Sequence, residues 1–211
     1  MKKVLLNIKR DFQKDKRKKI NVFTILLLVL IIIAMLGQNI IYNIINYRVE
    51  FYTVSSNKIS SKMRIVFMSD LHLREYGKNN SRLLKDVNNL APDLIILGGD
   101  FVTDGKKSYD NMVDFCRAIA KIAPVYGVLG NHEDVKIYIQ DDRELMKKFT
   151  DAGVKLLVNE IETTDIKGNE ITLVGVDGNP DDFEKYGADK AMERFDKEYS
   201  GFKICVAHVP V

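Results

Sequence analysis

Residues 64–72 read Arg-Ile-Val-Phe-Met-Ser-Asp-Leu-His, a short apolar run that ends in Ser69, Asp70 and His72. A short apolar run bounded by polar residues is typical of a strand that is buried on both faces. In open α/β sheets, ligands bind outside the carboxyl ends of the strands. This stretch therefore predicts a buried strand whose end carries side chains for binding or catalysis.

Three further runs in the chain have the same form. Each is short, largely apolar and followed at once by carboxylate, amide or imidazole groups: 94–97 before Gly98-Gly99-Asp100, 125–129 before Gly130-Asn131-His132-Glu133, and 203–207 before His208. All three histidines of the chain stand at these positions. We expect the four polar groups to meet in one crevice at the strand ends.

Taken singly, each motif has a simpler explanation. Asp-Leu-His is most often a helix cap or a surface turn, Gly-Asp and Gly-Asn-His are common in turns, and a histidine at a strand end is usually structural. Their order along the chain favours one joint site. Carboxylate oxygens, an amide carbonyl and imidazoles are ligands for hard or borderline divalent ions.

Amphipathic stretches separate the apolar runs. Their periodicity predicts helices over 82–90, 109–122, 143–152 and 185–199, and further strands over 154–158, 161–165 and 171–176. This alternation of strands and helices predicts an α/β fold whose first sheet is largely parallel. Asp104 and Asp110, near the second crossover, are interpreted as solvated loop residues, with contact to the crevice as the alternative.

The amino-terminal part of the chain has a different character. Residues 1–19 carry nine lysines and arginines against two aspartates, and residues 20–47 carry no charge. A helix over residues 22–42 would be about 31 Å long, which matches the hydrocarbon core of a bilayer. A transmembrane helix is the leading interpretation, and a buried core helix and a cleaved signal peptide are the alternatives. Cleavage is disfavoured because residues 34–37 lack small residues at the two positions that a cleavage site requires.

The chain is expected to comprise a basic cytoplasmic tail (1–19), a transmembrane helix (20–47), a linker (48–61) and a folded domain (62–211). The cations before the span place the amino terminus in the cytoplasm and the domain outside the cell membrane. Residues 48–211 carry 23 cations and 27 anions, so no nucleic-acid partner is expected. Cys116 and Cys205 are predicted to be two buried thiols rather than a disulfide.

The ordered motifs Ser69-Asp70-Leu71-His72, Gly98-Gly99-Asp100, Gly130-Asn131-His132-Glu133 and Ala207-His208 resemble those of the calcineurin-like metallophosphoesterase superfamily. The span before them is similar to that of a membrane-anchored bacterial branch. The resemblance implies a sandwich of two mixed sheets flanked by helices, with a dinuclear site for two divalent ions (Mn, Fe or Zn). It implies the following roles: Asp70 and His72 on the first metal, Asp100 bridging both, Asn131 and His208 on the second, and His132 as the catalytic residue facing the phosphate.

The activity implied is hydrolysis of phosphate mono- or diester bonds, or of pyrophosphate, by a hydroxide that the two ions activate. His132 would protonate the leaving oxygen or hydrogen-bond to it. A domain beside the membrane makes lipid-linked or cell-envelope phosphoesters candidate substrates. The alternative function is a metal-binding but catalytically impaired fragment or scaffold at the membrane.

Two positions depart from the family pattern. Glu133 stands where the family usually has Asp, which bears on how His132 is oriented. No Gly-His-x-His motif follows His208, so each metal would lack one imidazole and the second sheet its last strands. The sequence is therefore interpreted as a truncated form of a longer enzyme, with a physiologically short variant as the alternative.

Overall fold

The computed structural model describes residues 21–40, 42, 46–105, 108–176 and 188–209. The chain divides into two compact units, Met1–Tyr52 and Thr53–Val211. The predicted basic tail over residues 1–19 lies outside the described residues.

The first unit contains a single long apolar helix among its described residues, α1 (Asn21–Ile40), with a mean hydropathy of 2.5 in its most apolar part. Its 20 residues make a helix of about 30 Å. None of that apolar part is buried, unlike a core helix of a soluble protein. By length and composition α1 could cross a membrane, and a signal sequence would have the same features.

The second unit contains two sheets and five α-helices among its described residues. The strands are β1 (Ile65–Met68), β2 (Leu94–Leu97), β3 (Val125–Gly127), β4 (Val154–Leu156), β5 (Glu160–Ile166), β6 (Asn169–Val176) and β7 (Phe202–Ala207). The helices are α2 (Ser81–Leu90), α3 (Asp110–Ile119), α4 (Asn131–Asp134), α5 (Glu144–Asp151) and α6 (Ala188–Glu198). A 3₁₀ turn (Lys78–Asn80) precedes α2, and a π-helical turn (Val135–Ile139) follows α4.

The first sheet has the order β1-β2-β3-β4, and all of its pairs are parallel. Met68 pairs with Leu97, and Leu97 with Gly127, so β1, β2 and β3 end at the same edge. The second sheet is mixed, with β5 antiparallel to β6 and β6 parallel to β7. The predicted α/β order and the parallel first sheet are therefore confirmed.

The two sheets pack face to face around one apolar cluster. Leu94 and Ile96 of β2 contribute to it from the first sheet, and Ile171 and Leu173 of β6 from the second. Successive residues of a strand point to opposite faces, so the other residues of β2, which are also buried, face the crossover helices. The sandwich therefore fixes β2 on both sides, and with it the residues that follow β2.

The predicted elements differ from the structure mainly at their ends. The helix predicted over 185–199 is described from Ala188, and residues 177–187 lie outside the described part. The prediction of two buried thiols is wrong for one of them: both cysteines are free, Cys116 is buried and Cys205 is exposed. Cys205 lies on β7, and its Sγ lies 3.9 Å from Met192 Sδ of α6.

Candidate metal centre

Asp100, the residue that ends the Gly98-Gly99-Asp100 motif after β2, is the buried centre of the site, with 3% of its surface exposed. One carboxylate oxygen, Oδ2, faces the Nε2 atoms of all three histidines. The distances from this oxygen are 3.6 Å to His72, 3.8 Å to His132 and 3.3 Å to His208. The predicted convergence of the strand-end motifs on one crevice is therefore present in the structure.

The candidate ligands form two groups that share Asp100. One group is His72, Asp100 and His132, and the other is Asp70, Asp100 and His208; within each group the ligand atoms lie within 4.8 Å of one another. Two ligand atoms bound to one ion at about 2.0–2.2 Å lie roughly 3.0–3.6 Å apart. The spacing around Asp100 fits a divalent ion in each group after small side-chain adjustments.

The backbone after β1 and β2 takes a rare conformation that turns these side chains together. Asp70, His72 and Asp100 have φ angles of 57°, 47° and 56°. Hydrogen bonds between the two loops hold this conformation, from Asp70 N to Gly99 O at 3.0 Å and from His72 N to Asp100 O at 2.9 Å. Positive φ in residues other than glycine is uncommon and concentrates at functional sites.

Gly130 allows the third loop to approach Asp100 closely. A Cβ at this position would overlap Asp100 Oδ1, so glycine is the residue that fits. The same oxygen accepts a hydrogen bond from the backbone N of His132 at 3.0 Å. The loop after β3 is thus fixed to the carboxylate at the centre of the site.

Glu133 is a buried carboxylate that braces the backbone of the site. Its Oε2 accepts hydrogen bonds from the N–H groups of Asp100 at 2.7 Å and Gly130 at 2.8 Å, and its Oε1 accepts one from Val102 at 2.9 Å. Burial raises the pKa of Glu133, while these backbone hydrogen bonds oppose that rise. Glu133 therefore joins the loops after β2 and β3. The sequence comparison with the family, which has Asp at this position, did not indicate this role.

Asp104, rather than Glu133, contacts the ring of His132. Its Oδ1 lies 2.7 Å from His132 Nδ1. Asp104 is exposed on its loop, as predicted, and its carboxylate also reaches His132 because the loop after β2 turns back over the start of α4. The signal that could have identified it is an acidic residue four positions after Asp100, on the same strand-end loop.

The two remaining predicted residues are His208, which follows β7 of the second sheet, and Asn131, which follows β3 of the first. His208 is nearly buried, and its Nδ1 lies 2.8 Å from Gly98 O, which favours the tautomer that presents a lone pair on Nε2 toward Asp100. Asn131 is the first residue of α4, between Gly130 and His132, and it is exposed. Its position beside two residues that contact Asp100 is compatible with the predicted ligand role.

A parallel sheet packed on a mixed sheet, with carboxylates and imidazoles gathered at the strand ends, defines an α/β protein with a candidate metal centre. The chain belongs to the calcineurin-like phosphoesterase family, whose sequence model matches residues 63–211. The family predicted from the motifs is therefore confirmed.

The individual proteins that the chain resembles share less than 30% of their residues with it. An uncharacterized metallophosphoesterase of Bacillus subtilis, YkoQ, is 29% identical over 119 residues, covering 55% of this chain and 43% of its own. The phosphodiesterase YaeI of Escherichia coli is 26% identical over 139 residues, covering 64% of this chain and 49% of its own. A solved structure, TT1561 of Thermus thermophilus, is 17% identical with a TM-score of 0.47, over 68% of this chain and 67% of its own. The chain spans about half the length of the curated relatives it matches.

Proposed function

We propose that this protein is a membrane-anchored, metal-dependent phosphoesterase that hydrolyses phosphate mono- or diester bonds, or pyrophosphate, at the Asp100 centre. The observation that carries the proposal is the sharing of Asp100 between two ligand groups. Each group supplies three protein ligands from the described residues, a number typical of catalytic metal sites. Membership of the phosphoesterase family supports the same reaction class.

In this proposal two divalent ions (Mn, Fe or Zn) occupy the site. Asp70 and His72 would hold the first; they fall in different groups, but Asp70 Oδ1 lies 3.7 Å from His72 Nε2, close enough to share an ion. Asn131 and His208 would hold the second, with Asp100 shared between the two. Bound ions would lower the pKa of a coordinated water and offset the charge on the phosphoryl oxygens. Among carboxylates near the histidines, the burial of Asp100 and its hydrogen bond from His132 N suit it to the bridging position, because its orientation is fixed before any ion binds.

His132 is proposed to act on the leaving oxygen. Asp104 faces Nδ1 of its ring and favours a proton there, which directs Nε2 toward the crevice. An Asp–His pair of this kind stabilises the imidazolium that donates a proton to a leaving group. Because His132 Nε2 also lies within the first ligand group, the alternative is that it binds the metal. A His132→Ala variant separates these roles: loss of turnover with unchanged metal affinity supports the acid, and parallel loss of both supports the ligand.

The membrane part of the proposal rests on α1 and on the charges before it. The nine cations of residues 1–19 would keep the amino terminus in the cytoplasm and place the domain outside the membrane. Lipid-linked or cell-envelope phosphoesters are then the substrates within reach. Protease digestion of sealed right-side-out vesicles, which enclose the cytoplasmic face, tests the orientation, and a domain that stays protected in them would contradict it.

The reaction is tested with the full chain in mild detergent. We expect hydrolysis of bis-p-nitrophenyl phosphate or p-nitrophenyl phosphate with added Mn, Fe or Zn, and a loss of at least about a hundredfold in Asp100→Asn. Asp114→Asn is the matched control, since Asp114 is an exposed residue of α3 that pairs with Arg117. An Asp100→Asn variant that keeps its rate contradicts the proposal. Metal binding without turnover in the unaltered chain would support the scaffold function instead.

A further inference from the structure

Lys136 is a charged residue buried beside the candidate site, with 3% of its surface exposed. It lies on the π-helical turn that follows α4, four residues after His132. Its Nζ donates a hydrogen bond to Gly105 O at 2.8 Å and lies 5.5 Å from the centre of the Tyr109 ring. A buried ammonium is costly unless it is paired, and a carbonyl together with an aromatic face offsets part of that cost.

Gln140, one residue after the same turn, hydrogen-bonds to both backbone polar groups of Gly105. With its amide oriented to match its neighbours, its nitrogen donates to Gly105 O at 3.2 Å and its oxygen accepts from Gly105 N at 3.1 Å. Lys136, Gln140 and Gly105 are called the Gly105 clamp below. Single π-helical turns within helices occur frequently at functional sites.

The residue before Gly105 is Asp104, whose carboxylate meets the ring of His132. This contact is not protected by burial, because the Asp104 side chain is 56% exposed. Gly105 has a φ of 86°, and nothing lies within 4 Å of where a Cβ would stand, so side-chain packing does not hold this position. The hydrogen bonds from Lys136 and Gln140 to Gly105 restrain the peptide that carries Asp104.

We propose that Lys136 is a positioning residue, which, with Gln140, holds Asp104 against Nδ1 of His132 through the backbone of Gly105. This inference rests on the proposed function for the catalytic importance of His132, while the clamp itself can be measured without turnover. His132 lies on α4, and Lys136 and Gln140 lie on and just after the turn that follows α4. Both hydrogen-bond to Gly105, next to Asp104, whose carboxylate contacts the ring of His132. The ring orientation is then set by the same element that carries the ring.

The test reads the tautomer of His132 directly. The full chain in mild detergent is labelled with ¹⁵N in its histidine rings; three histidines make the spectrum assignable by substitution. At pH 8, long-range proton–nitrogen correlation distinguishes a proton on Nδ1 from one on Nε2. We expect His132 in the unaltered chain to carry its proton on Nδ1, because the partner of one ring nitrogen fixes the tautomer.

The informative variant is Lys136→Met, which keeps an unbranched side chain, one atom shorter, and removes the charge. We expect its His132 signal to move toward the Nε2-protonated form, as in Asp104→Asn, with the His72 and His208 signals unchanged. Lys148→Met is the matched control, since Lys148 Nζ lies 4.9 Å from the same Tyr109 ring and 3.8 Å from Asp110. It should leave His132 as in the unaltered chain.

Each outcome decides the proposal. A folded Lys136→Met with an unchanged His132 signal overturns it, as does an equal change in Lys148→Met. If Lys136→Met loses the dispersed His72 and His208 signals and so is unfolded, Gln140→Ala decides in its place, because Gln140 is exposed. A smaller shift of the His132 signal in the same direction supports the clamp, and no shift overturns it.

Turnover gives a second readout that separates the clamp from the proposed function. For an ester with a poor leaving group, kcat of Lys136→Met should fall about tenfold or more with little change in KM, while an ester of p-nitrophenol, which needs less protonation, should be affected less. A uniform loss for both esters overturns the positioning role. If no variant turns over but the His132 signal responds as expected, the clamp stands and the proposed function fails.

Discussion

Replacement of Glu133 by Gln tests whether one buried carboxylate organises the site. Its two oxygens accept three backbone hydrogen bonds, from Asp100, Val102 and Gly130. A glutamine has nearly the same shape but offers one acceptor oxygen and one NH₂ group. If its oxygen takes the position of Oε2 and keeps two of the bonds, its NH₂ group faces the N–H of Val102, where neither group can accept.

The expected cost follows from these contacts. One buried N–H without an acceptor costs about 1–3 kcal/mol, and each of the two remaining bonds loses about 1 kcal/mol when its acceptor is no longer charged. Removal of a buried charge offsets part of this loss, since burial is the main cause that raises the pKa of Glu133. We expect the free energy of unfolding to fall by about 2 kcal/mol, which corresponds to about 4–8 °C in Tm for a domain of this size.

The assay is thermal and urea unfolding of the full chain in mild detergent, followed by circular dichroism. Glu193→Gln is the control: Glu193 is an exposed helix residue that pairs with Lys197 four residues later, and loss of such a pair costs less than about 0.5 kcal/mol. If Glu133→Gln unfolds with the same free energy as this control, Glu133 does not brace the loops and the reasoning is refuted.

Three other predictions concern the same unit. Gly130→Ala should abolish divalent-metal binding measured by calorimetry, because its Cβ would overlap Asp100 Oδ1. Gly168→Ala is the control: it should bind metal normally and lose about 1–2 kcal/mol of stability, because alanine is strained at a φ of 77°. A thiol reagent should label Cys205 in the folded chain, and it should label Cys116 only once the chain is unfolded, since Cys116 is buried and burial raises its pKa to about 12. Labelling of both cysteines in the folded chain contradicts this. Zinc or manganese at 100 times its Kd should stabilise the chain by about 2.7 kcal/mol, and an unchanged Tm would argue against a metal site.

The sequence was sufficient for the features that depend on strand order. An apolar run followed by a polar motif predicts where a strand ends, and parallel pairing of β1, β2 and β3 aligns those ends at one edge. Asp70, His72, Asp100 and His132 were therefore predictable as neighbours, although they are far apart in the chain. His208 follows β7 of the second sheet, so its place beside them depends on how the two sheets pack. The prediction needed the topology and no knowledge of side-chain contacts.

Other features of the site could not be predicted in this way, because they depend on how loops fold back. The contact of Asp104 with His132 requires the loop after β2 to cross the start of α4. An acidic residue four positions after Asp100 marks Asp104 as a candidate, but it does not specify that path. Glu133 resembles an exposed residue of a first helical turn in the sequence, yet it is buried by backbone groups from two loops. The exposure of Cys205 depends on how far α6 covers β7, which the local sequence pattern does not specify.

The strained backbone at the strand ends explains why the ligand positions are fixed together. A residue other than glycine in the left-handed conformation costs roughly 1–2 kcal/mol, and Asp70, His72 and Asp100 all adopt it. These loops hydrogen-bond to each other beyond the last paired residues of β1 and β2, through the N–H groups of Asp70, His72 and Leu73. Each bond would contribute about 0.5–1.5 kcal/mol and compensates for part of the strain. A change that breaks this ladder would release all three side chains at once, so we expect the metal centre to be lost cooperatively rather than one ligand at a time.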